Sequence, residues 1–313
     1  MRRVVGAVGR VFITVGLLIL LFVAYQLWGT GLYTAREQSE LERQFNAALA
    51  TEGQPTPTTR ATSTTTTSLG APPSSTTTTT TEPAPPPPPE GEAIARLLIP
   101  KISVDSIVLN GVTRDDLRKG PGHYLDTPLP GQEGNSAIAG HRTTYGAPFS
   151  DLDQLSEGDL IQVRTLQGSF KYRVREQLIV RPSDIAVIDP TPVDPDNPDE
   201  GYLATLTLTT CNPKYSAAQR LVIHADLDPD QVALPAPAVV TNSKLTEEGL
   251  SGEESSKLPA VIAGLIAALI GAVWWLFFHR HPRWTTWIIG AVPFAIALFF
   301  FFSFLERVLP ANY

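Results

Sequence analysis

Cysteine is all but missing from this chain, with one in 313 residues, and methionine also occurs only once. A single cysteine closes no intrachain disulfide and cannot supply a cysteine-rich zinc site. Basic charge is scarce as well. Lysine and arginine number 24 against 31 aspartate and glutamate, a formal net charge of −7, which excludes the basic face of a nucleic-acid binder. Charged residues of either sign make up 18% of the chain, and the deficit is concentrated in three stretches that have none. Acidic residues do not gather at metal-ligand spacing: Asp194, Asp196, Asp199 and Glu200 alternate with prolines and read as a solvated loop. No metal or other cofactor is therefore expected.

The uncharged stretches are Val11 to Trp28, Leu258 to Phe278 and Trp284 to Leu305. Each approaches the roughly 20 apolar residues that cross a bilayer as a helix. Arg2, Arg3 and Arg10 precede the first, and His279-Arg280-His281-Pro282-Arg283 separates the other two. The positive-inside rule places both basic clusters in the cytoplasm. The two ends of the chain then agree: one crossing leads out, and a hairpin leads back in and out again. Trp274, Trp275, Trp284 and Trp287 flank the basic turn, where interfacial aromatic anchors belong. A cleaved signal peptide is the competing reading of the first stretch. The run is long for one, and the cleavage pattern Ala48-Leu49-Ala50 lies far downstream. The expected layout in the plasma membrane is a cytoplasmic N-terminus (1–10), a transmembrane helix (11–28), a juxtamembrane segment (29–50) continued by a polar helix over Ala35 to Ala50, then a soluble portion outside the cell. Transmembrane helices at 258–278 and 284–305 follow, joined by the cytoplasmic turn 279–283, with a tail at 306–313.

Residues 51–91 are a low-complexity stalk with the runs Thr64 to Thr67, Thr76 to Thr81 and Pro85 to Pro89. Such chain buries little and acts as a semi-rigid spacer, holding a soluble domain away from the membrane. A Pro-, Ser- and Glu-rich linker at 230–257 leads back. Residues 92–229 between them suffice for one domain. Its apolar runs are short and broken by Pro100, Gly111, Gly131 and Pro182. Strands are expected at Ala95 to Ile99, Ser103 to Leu109, Asn135 to Ala139, Leu160 to Thr165, Gly168 to Ile179, Leu203 to Thr210 and Arg220 to Ala225. Short helical stretches are expected near Arg114 to Leu117 and Pro148 to Leu155. Many short strands with few helices predict a mainly-β, closed or nearly closed barrel.

The lone cysteine, Cys211, ends the run Thr207-Leu208-Thr209-Thr210-Cys211. Ala204, Leu206 and Leu208 share one face of that strand, with Thr210 at its end. Thr205, Thr207 and Thr209 share the other, in phase with Cys211. The thiol should point away from the apolar face, a poor place for a structural cysteine. Arg220 opens the strand Arg220-Leu221-Val222-Ile223-His224, and if the two strands pair, it meets Cys211 at one end of the sheet. His141 follows the apolar run Ala137-Ile138-Ala139-Gly140. A solvated strand-end charge and a polar loop residue are the plain alternatives for Arg220 and His141. Together with Cys211 they make chemical sense: a thiolate attacks an acyl carbon, an imidazole moves the proton, and a guanidinium holds the oxyanion or the substrate.

Ala139-Gly140-His141-Arg142, the run from Thr207 to Cys211, and Arg220 resemble the signatures of sortases, membrane-anchored cysteine transpeptidases of Gram-positive bacteria. The resemblance spans about Glu92 to Asp228. It implies a closed eight-stranded β-barrel with short helices. It also implies cleavage between Thr and Gly of a C-terminal sorting signal on secreted proteins, with transfer to an amine of a cell-wall precursor. Cys211 is then the nucleophile, His141 the general acid/base and Arg220 the oxyanion or substrate stabiliser. Gly120-Pro121-Gly122-His123-Tyr124, His141 to Gly146 and Cys211 to Ser216 are similar to class E sortases of actinobacteria, which favour LAXTG over LPXTG signals. On that resemblance Tyr124 and Thr210 contact the signal, and Ile185, Val187 and Ile188, in the loop before the cysteine strand, wall its pocket. His123 and His224 read as structural. A pilin-polymerising sortase and a non-catalytic membrane receptor for sorting signals are the alternatives. The stalk has no Asp-Pro-aromatic lid motif, which favours housekeeping anchoring of surface proteins.

Overall fold

The computed structural model describes residues 2–52, 88–197, 200–236, 257–278 and 284–308. Most of the Thr/Pro stalk and of the second linker, and the basic turn at 279–283, lie outside the described residues. Helix α1 (Arg2–Ala24) runs through a π-helical turn (Tyr25–Gly29) into helix α2 (Thr30–Glu52). Eight strands follow: β1 (Ala93–Ile99), β2 (Val104–Asn110), β3 (Gly122–His123), β4 (Asn135–Ala139), β5 (Leu160–Thr165), β6 (Ser169–Val180), β7 (Thr205–Asn212) and β8 (Gln219–Leu227). A short helix α3 (Arg114–Leu117) links β2 to β3, and helices α4 (Leu258–Phe278) and α5 (Trp284–Val308) end the described chain.

The strands close in the order β1-β2-β3-β4-β7-β8-β6-β5. The β2–β3 and β4–β7 pairs are parallel and the others antiparallel. Alternation fills the interior. Along β6, Phe170, Tyr172 and Val174 point inward while Ser169, Lys171 and Arg173 face water. They pack with Leu97, Ile99, Val108, Ile138, Ile161, Leu206, Leu208, Leu221 and Ile223 in one core. Strand β3 is absent from the sequence expectation because two residues show no alternation. Its place depends on close approach: a Cβ on Gly122 would lie 2.1 Å from the Gly111 carbonyl oxygen.

Helix α2 is more than a juxtamembrane segment. Thr30, Thr34, Gln38, Leu41 and Phe45 fall on one helical face, and that face lies on the barrel. Leu41 and Phe45, 4% and 2% exposed, pack on Ile107 and Leu109 of β2. Strand β3 is too short to pair with Ile107, and the Gln38 amide does so in its place. It accepts the Ile107 N–H at 2.7 Å and donates to the carbonyls of Ile107 and Lys119 at 2.9 and 3.0 Å. Arg96 of β1 bridges Glu42 at 3.0 Å and Asp105 at 2.7 Å. Leu49, near the end of α2, and Ala93, at the start of β1, pack on the same cluster.

Among the described residues one helix, Leu258–Phe277, is both long and apolar enough to cross a membrane, and shorter apolar helical stretches lie at Phe12–Ala24 and Ile289–Leu305. Three crossings were expected, and among the described residues one helix meets both tests. The helices nevertheless pack together. Tyr25 and Ser303 hydrogen-bond at 3.1 Å, and the rings of Phe22 and Phe302 meet edge-on at 5.2 Å.

Replacing Gln38 by Leu should strip both partners from the Ile107 peptide groups and lower stability by on the order of 1–3 kcal/mol. Thermal unfolding of the detergent-solubilised chain, followed by circular dichroism, checks this; an unchanged midpoint would show that the helix–barrel bridge carries no load.

Candidate active site

Antiparallel pairing of β7 and β8 sets Cys211 directly opposite Arg220. The nine-residue separation spans the turn between the strands, so the register itself brings thiol and guanidinium together. Arg220 Nη1 lies 3.5 Å from Cys211 Sγ and also donates to the carbonyls of Ala217 at 3.1 Å and Gln219 at 3.2 Å. These acceptors offset the cost of burying a cation that is 2% exposed.

Strand β4 delivers the histidine. It runs parallel to β7 with Ala139 beside Thr209, and the pairing continues past its end. The Gly140 N–H donates to Thr209 O at 3.1 Å, and Thr210 Oγ1 donates to Gly140 O at 2.7 Å. Continuing that register by two residues sets His141 alongside Cys211. Glycine is required at 140, since a Cβ there would lie 2.6 Å from the Phe149 ring. His141 is 4% exposed, its Nδ1 lies 3.3 Å from Thr144 Oγ1, and its ring stacks obliquely on Tyr145 at 5.0 Å. Neither Arg220 nor His141 is a solvated surface residue.

Cys211 is also buried, at 1% exposure. The face opposite the barrel interior, expected to be merely non-apolar, is itself covered. Tyr124, Ala137, Ala139, Val112, Leu117 and Ile188 form a second apolar cluster there, with Ile185 and Val187 packed against it. Tyr124, fully buried, hydrogen-bonds Thr209 Oγ1 at 3.0 Å. The turn Ile185–Ile188 is held in place by Asn135, whose amide donates to the carbonyls of Asp189 at 3.1 Å and Val187 at 3.4 Å. Thr207 Oγ1 in turn donates to Asn135 Oδ1 at 2.8 Å and lies 2.9 Å from His224 Nδ1. Thr210 is not part of this cluster. It is in phase with Leu206 and Leu208, and its hydroxyl is committed to Gly140.

Two residues escaped sequence reasoning. Arg142 donates to the Cys211 carbonyl at 3.0 Å and to Asn212 Oδ1 at 2.8 Å, and pairs with Asp153 at 3.1 Å. Its only sequence signal is its place directly after His141. Thr209 is Tyr124's partner, and its phase with Cys211 was the available signal. His123 and His224 lie elsewhere in the polar framework. Burial holds His123 down to about 4, and its ring nitrogens lie 3.0 Å from Asn110 Oδ1 and 2.9 Å from Pro128 O. His224 is likewise pushed down, chiefly by burial. Burial pushes the Cys211 thiol up, against the opposing pull of the Arg220 and Arg142 cations. The resting group at neutral pH is therefore the thiol. Among the described residues, no three His, Cys, Asp or Glu side chains gather as metal ligands would.

The fold and site define a closed β-barrel domain with a buried thiol, an imidazole and a guanidinium at one end of β4, β7 and β8. A sortase-domain family model matches residues 97–228, and the chain belongs to the sortase family. It is 31% identical over 225 residues to sortase SrtE1 of Streptomyces coelicolor, covering 69% of this chain and 55% of that protein. To sortase SrtE2 of the same organism it is 27% identical over 238 residues, covering 72% of this chain and 82% of that one. The solved structure of sortase E from Streptomyces avermitilis is 38% identical, covers 45% of this chain and 90% of that one, and superposes with a TM-score of 0.38. The chain spans about half the length of SrtE1.

The raised thiol sets a pH dependence. Alkylation of Cys211 by iodoacetamide should rise through a midpoint above the ~8.5 of an unperturbed cysteine. Arg220→Ala should move that midpoint further up, because a cation favouring the thiolate is lost. The single cysteine makes the measurement site-specific by intact-mass spectrometry; a midpoint at or below that of a free thiol contradicts the assignment.

Proposed function

We propose that this chain is a membrane-bound cysteine transpeptidase that anchors surface proteins. It cleaves a C-terminal LAXTG- or LPXTG-type signal between Thr and Gly and passes the acyl group to an amine of a cell-wall precursor. The observation that carries the reading is the buried Cys211–Arg220 pair at 3.5 Å, set by strand register at the end of β7 where β4 presents His141.

The chemistry follows from the resting thiol. Cys211 Sγ attacks the threonine carbonyl carbon as His141 takes the thiol proton. The negative charge on the carbonyl oxygen is met by Arg220 N–H groups already held in place by backbone carbonyls, so little reorganisation is needed. The tetrahedral adduct collapses to a thioester. The C–N bond breaks, and His141 returns its proton to the departing glycine amine. An incoming amine then attacks the thioester, gives a proton to His141, and releases Cys211 as the thiol and the new amide. Arg142 holds the Cys211 backbone in place while the acyl group comes and goes. Tyr124, Ile185, Val187 and Ile188 wall the groove that takes the signal's apolar positions, and the Tyr124 ring favours a small residue at the second position. Thr210 serves the site by tying Gly140 to β7.

The layout in this reading is a cytoplasmic N-terminus, crossings at 11–28, 258–278 and 284–305, and a catalytic domain at 92–229 outside the cell in contact with membrane lipid. Its substrates are secreted proteins bearing sorting signals, and no nucleic acid is involved.

A fluorogenic LAXTG peptide incubated with the detergent-solubilised chain should be cleaved between Thr and Gly, and added amine should divert product from hydrolysis to transfer. Cys211→Ala should abolish cleavage, and Arg220→Ala should lower kcat by about 10²–10³-fold. Cleavage that survives Cys211→Ala would end the proposal, and equal rates on LAXTG and LPXTG peptides would remove the class E preference.

A further inference from the structure

The imidazole of His141 ends a contiguous cluster of rings and one guanidinium that begins on the N-terminal helix. The Arg118 guanidinium lies against two tyrosines, 5.4 Å from the Tyr33 ring centre and 5.2 Å from that of Tyr145. The two rings also meet edge to face at 6.4 Å and 77°. Tyr145 then stacks on His141 at 5.0 Å. Each member is fixed from outside the site. Tyr145 is 5% exposed and holds a left-handed φ of 51°. Its backbone N–H donates to Thr30 Oγ1 on α2 at 3.2 Å, a contact 115 residues apart in sequence. The Arg118 carbonyl accepts from Thr34 Oγ1 at 2.8 Å, and its guanidinium pairs with Asp115 at 3.4 Å.

We propose that the Tyr33–Arg118–Tyr145 stack is a positioning device for His141, so that helix α2 sets the orientation of the imidazole as well as tethering the barrel. The inference rests on the transpeptidase reading. In that reading His141 serves in turn the thiol, the leaving amine and the incoming amine, and a misplacement of about 1 Å costs up to 10²-fold in rate. A cation held over both ring faces resists such displacement in a way that apolar packing alone does not. Tyr33 is the outermost member. It is 39% exposed, on a helix whose docking is carried by Gln38, Leu41 and Phe45, so its replacement leaves the fold in place.

The test uses the full chain in detergent micelles. Tyr33→Ala should lower kcat for the sorting peptide about tenfold with KM within about twofold, and Tyr33→Phe, which keeps the ring, should restore kcat to within about twofold. Tyr33→Leu, with apolar bulk but no π face, should behave as the alanine variant does. The His141 Cε1–H resonance, assigned by its loss in His141→Gln, should shift in Tyr33→Ala and Tyr33→Leu and stay in Tyr33→Phe, because the Tyr145 ring current moves with the stack. If the wild-type chain cleaves no peptide, the transpeptidase reading falls, and the resonance still decides the positioning role. An unmoved resonance in Tyr33→Ala, or a Tyr33→Leu chain with wild-type kcat, overturns the proposal.

Discussion

A buried guanidinium facing a buried thiol is the constraint around which the barrel is organised. Charge that deep is costly unless it is paired and hydrogen-bonded. Arg220 meets the requirement with two backbone carbonyls and the sulfur. A second cation, Arg142, is anchored on the carbonyl of the same cysteine and on Asp153. Both arginines draw the thiol toward ionisation while burial pushes it the other way, and burial prevails. A thiol kept neutral at rest is shielded from adventitious oxidants and electrophiles, because the thiolate is the reactive form. In the proposed reaction it becomes a nucleophile when His141 takes its proton, which gives the orientation of that imidazole its importance.

The polar framework behind the site has the same logic. His224, Thr207 and Asn135 form a chain of hydrogen-bonding side chains across β8, β7 and β4 that ends on the carbonyls of the Ile185–Ile188 turn. That chain fixes a loop which would otherwise have only apolar contacts with Tyr124 and its neighbours. Neutral histidines suit such a role, and burial holds both His123 and His224 in that form.

Much of this was legible in the sequence, for identifiable reasons. Long alternating runs marked β5 and β6, and the meeting of Cys211 with Arg220 followed from two strands flanking one tight turn. What was hidden depends on registers between distant segments. Strand β3 is two residues whose position is set by packing on Gly111. The burial of Cys211 could not be read from its own strand, because the cover comes from Tyr124 and residues 185–188. The docking face of α2 was masked because Thr30, Thr34 and Gln38 bind the barrel through hydrogen bonds, so its hydrophobic periodicity is weak. Phase separates Thr209, which bonds Tyr124, from Thr210, which bonds Gly140; the strand pattern contained that distinction.

The unbroken passage from α1 through the π turn into α2 has a mechanical consequence. In a chain inserted as proposed, Thr30 lies just past the first crossing, and its hydroxyl touches the residue that stacks on His141. The height of the site above the bilayer is then set by the 1.5 Å rise per residue of a helix, a ruler instead of a tether. In the proposed layout the enzyme works at a fixed depth in the membrane surface, and whatever it joins must come to that plane.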